Sequence, residues 1–120
     1  MGHTFAKVKL YNPSDQSKVL DLDLIVDTGS TYTWVKRLRL ESLGLEPTGE
    51  RMFRTIEGKF VKREIGEALI ECMGEKATTI VVFAEKEDVE VLGVYALEGL
   101  GLEVDPATKE LRKSEAILAL

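Results

Sequence analysis

One short segment combines residue types that could perform acid–base chemistry: Asp27, Thr28, Gly29 and Ser30 directly follow the apolar residues 24–26. A carboxylate at the abrupt end of an apolar strand is expected in a partly desolvated loop, where hydroxyl and backbone N–H groups can bind it. Such a carboxylate can act as a general acid or a general base. The alternative is an ordinary turn, because Asp, Thr and Gly are all common turn residues.

The chain offers few other groups for catalysis. Cys72 is its one cysteine and His3 its one histidine, so the sequence cannot assemble a Cys/His zinc site, and we expect no metal and no cofactor. A single cysteine also rules out an intramolecular disulfide. This cysteine usage favours a reducing, cytoplasmic setting.

Length and charge exclude several classes of protein. The 120 residues predict a single domain, residues 1–120. With 21 acidic and 16 basic side chains the net charge is -5, and the dispersed basic residues argue against a nucleic-acid partner. No apolar run approaches the ~18 residues of a membrane span, so we expect neither a membrane segment nor a signal peptide. Few amide and many charged side chains are typical of thermophile proteins.

Alternating apolar residues predict a mostly β fold that positions the Asp27 segment. Leu20, Leu22, Leu24 and Val26 indicate a strand with one buried face that ends at Asp27. Further strands are predicted over residues 4–10, in two segments within 52–70, over 78–84, at 91–93 and from 102, with turns at 12–15, 56–59 and 73–75.

Two short helices and an apolar tail complete the predicted elements. A helix over residues 36–43 should turn Leu38 and Leu43 inward and end at Gly44. A second helix, through residues 95–100, should stop at Gly101. The last residues, 116–120, are apolar, which is unusual for a solvated terminus. We therefore expect the tail to pack against a partner surface.

Residues 24–30 resemble the active-site motif of the aspartic proteases, in which an apolar strand precedes Asp-Thr/Ser-Gly-Ala/Ser. A second element of that family, two apolar residues and a Gly before a short helix, is matched by residues 91–93 and 96–98. Chain length and the intervening hairpin resemble the single-domain, retropepsin-like branch, and residues 97–106 resemble its prokaryotic members. The resemblance covers about residues 5–111. It implies a closed retropepsin-like β-barrel with one or two short helices.

The resemblance implies an aspartic endopeptidase that acts on peptides or unfolded proteins. This chemistry needs two carboxylates, whereas the sequence holds a single Asp-Thr-Gly. The implied enzyme is therefore a homodimer in which each subunit contributes Asp27. By the same resemblance, Thr28 would bond across the dimer axis, Gly29 would let the backbone approach the substrate, and Ser30 would orient the Asp27 carboxylate.

The hairpin turn at Ile56, Glu57 and Gly58 would be the flap that covers the substrate and excludes water. An ordinary surface hairpin is the alternative. A solvent-facing Ile56 at a hairpin tip has no packing reason to be there, which favours the flap.

Residues that flank the two family elements are assigned to packing or depart from the family. Tyr32 and Trp34 are interpreted as core or pocket wall, and Tyr95 as a packing residue. Retroviral members carry an Asp–Arg ion pair that braces the dimer, but the matching positions here hold Thr31 and Val94. Because both partners are replaced, no charge is left unpaired.

Two other hypotheses remain open beside the enzyme. One is a retropepsin-like dimerisation or peptide-binding module without efficient proteolysis, and the other is a small monomeric β-barrel with an incidental turn at Asp27. The intact motif favours the enzyme over the module, since two converging carboxylates cost stability and a scaffold has no use for them.

Overall fold

A computed structural model describes residues 3–119 of the chain, and about half of these residues lie in β-strands. In chain order the elements are β1 (Phe5–Asn12), β2 (Asp15–Val26), β3 (Thr33–Lys36), α1 (Arg37–Ser42), β4 (Gly49–Arg54), β5 (Phe60–Cys72), β6 (Glu75–Ala84), β7 (Val91–Leu92), α2 (Val94–Leu100), β8 (Leu102–Val104) and β9 (Leu111–Lys113). A mostly β fold with two short helices is confirmed.

The first seven strands form one sheet in the order β1-β2-β7-β3-β6-β5-β4, and β1 pairs in addition with β5. The pairings therefore run around a ring of six strands, while β4 lies outside the ring and pairs with β5 alone. The pairs β2–β7 and β3–β6 are parallel. Strands β8 and β9 form a separate antiparallel pair beside α2.

The core follows the predicted alternation of apolar residues. Strand β2 buries Leu22 and Leu24 and packs the half-buried Leu20 and Val26 against them. Every second residue of β1 is also buried, and Phe83 of β6 is fully buried. Because side chains alternate between the faces of a strand, these residues face one core. Packing against this core fixes β2, and with it the point from which the Asp27 segment leaves the strand.

Strand β2 begins earlier than its apolar alternation predicts. Residues 15–19 extend it because Val19 pairs with Tyr11 and Asp15 pairs with Asn12 at the end of β1. These added residues are exposed, so no burial pattern in the sequence signals them. In the connecting turn the Ser14 N–H donates to the side-chain oxygen of Asn12 at 2.8 Å, a local bond typical of such turns.

Both helices end close to the glycines that mark their predicted ends. Gly44 follows α1 with φ +82, and Gly101 ends α2 with φ +70, conformations that glycine adopts without a Cβ penalty. The inward orientation predicted for Leu38 is wrong, since its side chain is 79% exposed. Residues five apart lie about 140° apart around a helix and residues three apart only about 60°, so Leu40 and Leu43 share the buried face.

The apolar tail lies on the surface of the single chain. Ile117 is 72% and Leu118 is 95% exposed, and Leu120 lies outside the described residues. No helix within residues 3–119 is both long and apolar enough to cross a membrane.

Candidate active site

Asp27 is the first residue after β2, and β2 is paired up to that point. Val26 lies opposite Leu92 of β7, and the Asp27 N–H donates to the Leu92 carbonyl oxygen at 2.9 Å. The backbone that carries the carboxylate is therefore fixed by a neighbouring strand. In the single chain residues 27–29 are exposed, so the expected partial desolvation of this loop is absent because no other element covers it.

The Asp27 carboxylate accepts a hydrogen bond from within its own loop. The Gly29 N–H donates to its Oδ1 atom at 2.9 Å. A Cβ atom at position 29 would lie 3.2 Å from the same oxygen, which is tighter than ordinary contact. Glycine at this position thus lets the loop backbone bind and orient the carboxylate.

Ser30 has a different partner from the one the resemblance implies. Its hydroxyl donates to the Tyr32 carbonyl oxygen at 2.9 Å, and its N–H donates to the Asp27 carbonyl oxygen at 3.1 Å. Ser30 therefore closes the turn, while the carboxylate is oriented by Gly29. Thr28 is exposed at the same turn.

The second predicted element lies directly against the first. Hydrogen bonds join residues 92–95 to residues 27–33. They are Asp27 N–H to Leu92 C=O (2.9 Å), Gly93 N–H to Thr33 Oγ1 (3.1 Å), Val94 N–H to Ser30 C=O (2.8 Å) and Tyr95 N–H to Thr31 C=O (2.9 Å). Two segments that are distant in the sequence thus form one bonded unit.

The β6–β7 loop, which leads β7 into this unit, is held by ionic contacts. Arg63 donates to both oxygens of the Asp88 carboxylate at 2.7 and 3.0 Å, and the Lys36 ammonium donates to the carbonyl oxygens of Glu85 and Lys86 at 3.0 and 2.7 Å. Burial alone would raise the pKa of Asp88, but the hydrogen bonds from Arg63 and the Glu85 N–H outweigh it and lower that pKa. The loop is therefore best held when Asp88 is ionised.

Aromatic rings connect the β4–β5 hairpin to the residues that follow Asp27. Phe53 of β4 lies edge-on to Trp34 at 5.0 Å and to Tyr32 at 6.1 Å between ring centroids. Tyr32 contacts Tyr95 at 5.9 Å in the same geometry. Tyr32 and Trp34 are half-buried and Tyr95 is 45% exposed, so these residues lie outside the buried core. Their rings form a chain of contacts through Phe53, which adds the link to the hairpin.

The tip of that hairpin projects into solvent. Ile56 is fully exposed, Glu57 and Gly58 are also exposed, and Gly58 has φ +88. The Thr55 N–H donates to the Lys59 carbonyl oxygen at 2.8 Å and closes the turn. The contacts above bring the base of the hairpin, not its tip, to the loop after Asp27.

Asp27 does not line the cavity beside the start of β1. That cavity, of about 650 Å³, lies between the start of β1, the turn after β5 and the loop before β9. Among residues 3–119 no group of three or more His, Cys, Asp and Glu side chains is placed to hold a metal ion. Asp27 thus lies on an open surface.

Two residues of this site carry no distinguishing local signal. Thr33 reads as an ordinary strand residue and Phe53 as one apolar position in a mixed hairpin. The alternation of Thr33 with Trp34 and Val35 places it on the buried face of β3, which is the one hint that its hydroxyl must find a buried partner.

No protein-family model matches the chain, and no curated protein matches it in sequence.

Proposed function

We propose that the protein is a retropepsin-like aspartic endopeptidase that acts as a homodimer, with one Asp27 from each subunit in the catalytic dyad. The ring of six strands with two short helices supports a closed barrel of that type. The single, buried Cys72 fits a reducing compartment, and burial raises the pKa of its thiol.

The observation that carries the proposal is the contact between the two motif elements. The Asp-Thr-Gly-Ser loop and the Val-Leu-Gly segment each match part of an aspartic-protease pattern. The hydrogen bond from the Asp27 N–H to the Leu92 carbonyl oxygen joins them directly, and three more bonds join the adjoining residues within 27–33 and 92–95. An incidental turn after a strand has no reason to be bonded to the second element of the same pattern. This contact therefore favours the enzyme over a turn without function.

A second subunit follows from the number of carboxylates. The chain has one Asp-Thr-Gly, and Asp27 and Thr28 are exposed on the open surface of the single chain. A twofold axis beside this loop would bring two Asp27 carboxylates together and cover both. The exposed Ile117 and Leu118 offer apolar surface for the same contact.

The proposed chemistry uses a water molecule between the two carboxylates. Two such groups a few ångströms apart cannot both ionise comfortably, so they share one proton. The ionised member takes a proton from the water as it attacks the peptide carbonyl carbon. The protonated member gives its proton to the carbonyl oxygen, which forms a tetrahedral intermediate with two hydroxyl groups. As the C–N bond breaks, the member that took the proton from water passes it to the amine nitrogen, and the other member regains a proton from a hydroxyl of the intermediate. Both arms of the pH–rate profile would therefore belong to the dyad.

Backbone hydrogen bonds are formed at the positions where retroviral members have the bracing ion pair. Thr31 accepts through its carbonyl oxygen from the N–H of Tyr95, the residue after Val94, and Val94 itself donates to Ser30. Uncharged side chains at positions 31 and 94 therefore leave the two segments connected within one subunit. Bracing between subunits is assigned to the loop and the tail.

The β4–β5 hairpin is proposed as the flap. Its exposed tip at Ile56, Glu57 and Gly58 is free to move over a substrate, while Phe53 anchors its base to Trp34 and Tyr32. Closure would exclude water from the dyad.

Cleavage of an unfolded protein at mildly acidic pH tests the proposal. Asp27→Asn keeps the oxygen that Gly29 binds but removes the ionisable group, so hydrolysis should be lost and the fold retained. Asp23→Asn changes an exposed carboxylate on the same strand and should leave hydrolysis unchanged. Undiminished cleavage by Asp27→Asn would contradict the proposal. Sedimentation of a strict monomer would exclude the dyad, and a dimer whose wild-type form cleaves nothing would indicate the binding module.

A further inference from the structure

One of the hydrogen bonds between residues 92–95 and residues 27–33 uses a side chain and can therefore be removed by mutation. Three of them join backbone to backbone and persist with any side chain. The fourth joins the Gly93 N–H to the hydroxyl oxygen of Thr33 at 3.1 Å. Within the described residues, Thr33 is thus the one side chain in this set of bonds.

The surroundings of Gly93 leave little alternative to that hydroxyl. Thr33 is fully buried and Gly93 is buried with it. A Cβ atom on Gly93 would lie 2.3 Å from the Tyr32 carbonyl oxygen, so the two backbones are already in contact. Because both residues are buried, bulk solvent does not reach this hydrogen bond. A buried N–H that loses its acceptor is costly, and the local backbone is expected to shift to recover one.

We propose that Thr33 is a positioning residue of the active site, whose hydroxyl fixes residue 93 and through it the direction of the Asp27 carboxylate. This inference rests on the proposed function. Gly93 is bonded covalently to Leu92, and the Leu92 carbonyl oxygen accepts the Asp27 N–H. A shift of residue 93 is therefore passed to Asp27 through one peptide unit and one hydrogen bond.

Twofold symmetry enlarges the effect of such a shift. Each subunit of the proposed dimer carries its own Thr33, so a displacement of Asp27 occurs on both sides of the axis. The separation of the two carboxylates then changes by up to twice the displacement in one subunit. Because a shared water and proton require close carboxylates, kcat should be more sensitive than substrate binding.

The chain contains a matched control in Thr79. It is also buried in a strand, but its hydroxyl has no hydrogen-bond partner. Replacement of either threonine by valine removes one buried hydroxyl and keeps the shape of the side chain. Thr33→Val removes the hydrogen-bond acceptor of the Gly93 N–H. Thr79→Val removes a hydroxyl that makes no hydrogen bond.

Steady-state hydrolysis of a peptide by the full chain tests the inference. Thr33→Val should lower kcat on the order of 10- to 100-fold and leave KM within about twofold. Thr33→Ala should have the same effect on kcat as Thr33→Val. Thr33→Ser keeps the hydroxyl and should retain most of the wild-type kcat. Thr79→Val should match the wild type. Wild-type kcat in Thr33→Val, or an equal loss in Thr79→Val, would overturn the positioning role.

Amide hydrogen exchange at Gly93 separates this inference from the proposed function, because it needs no activity. Thr33→Val and Thr33→Ala should speed exchange at Gly93, whereas Thr33→Ser and Thr79→Val should not. Faster exchange at Gly93 in an enzyme of unchanged kcat would overturn the positioning role alone. A wild-type protein that hydrolyses no peptide would overturn the proposed function and the catalytic role of Thr33 with it, even if Gly93 exchanges as expected.

Discussion

The carbonyl oxygen of Tyr32 occupies the space that a side chain on Gly93 would need, since a Cβ atom there would lie 2.3 Å from that oxygen. Gly93 has φ -94, a conformation open to any residue. The requirement for glycine is therefore steric: the two segments of the site cross with their backbones in contact. No residue with a side chain permits this crossing unless one segment moves.

Gly93→Ala should lower the free energy of unfolding by at least about 2 kcal/mol, because the added methyl group meets backbone rather than a flexible side chain. Gly99→Ala is the matched control. Its Cβ atom would lie 3.6 Å from that of Ala77, an ordinary contact, and it stands in α2. Alanine there should stabilise by up to about 1 kcal/mol. Urea denaturation compares the two, and equal stabilities would contradict the steric argument.

Phe53→Ala should loosen the base of the β4–β5 hairpin, because Phe53 contacts both Trp34 and Tyr32. We expect a loss of about 1–3 kcal/mol in unfolding free energy, less than for a fully buried ring, and a raised KM. Phe60→Ala is the control, since Phe60 is exposed and pairs with Arg54 on the other face of the hairpin. If both variants raise KM equally, the aromatic contact is not the anchor.

The contact of Asp88 with Arg63 should make stability depend on pH in the acid range. The pKa of Asp88 is lowered in the folded state, so its contribution is complete above the ordinary value of 3.8 and disappears as the pH falls through the lower folded value. Asp88→Asn should therefore cost about 2 kcal/mol near neutral pH and progressively less below about pH 4.

Asp21→Asn serves as the control for that measurement. Asp21 pairs with Lys9 at 3.6 Å, but its side chain is 75% exposed, and exposed pairs contribute little. Urea denaturation of both variants across the acid range separates a half-buried pair from an exposed one. A deficit of Asp88→Asn that stays constant with pH would show that its ionisation is not what stabilises the β6–β7 loop.

Sequence patterns predicted the features that depend on neighbouring residues. The alternation of residues 20–26 gave the buried face of β2, and Gly44 and Gly101 marked both helix ends, because burial period and backbone conformation are local properties. The prediction for Leu38 is wrong because residues 38 and 43 are five apart and therefore lie on different faces of a helix. The start of β2 at residues 15–19 was not predicted because strand pairing, not burial, makes these residues extended.

Contacts between distant segments could not be predicted from local patterns. The motif resemblance identified residues 27–30 and 91–93 as two elements of one family pattern without stating a contact between them, and it implied that Ser30 orients Asp27, whereas the Ser30 hydroxyl donates to the Tyr32 carbonyl oxygen. The bond from Gly93 to Thr33 and the contact of Phe53 with Trp34 depend on how β3, β4 and β7 are placed. No local periodicity carries that information.

Mixing of wild-type and Asp27→Asn subunits tests the central claim most directly. If one Asp27 from each subunit forms the dyad, a mixed dimer is inactive, and the rate per wild-type subunit falls in proportion to the wild-type fraction, to about one half in an equal mixture. The measurement is peptide hydrolysis at constant wild-type concentration as Asp27→Asn protein is added and subunits exchange. A proportional fall is the result expected of a dyad shared between subunits. A rate per wild-type subunit that stays constant at every ratio would contradict the shared active site.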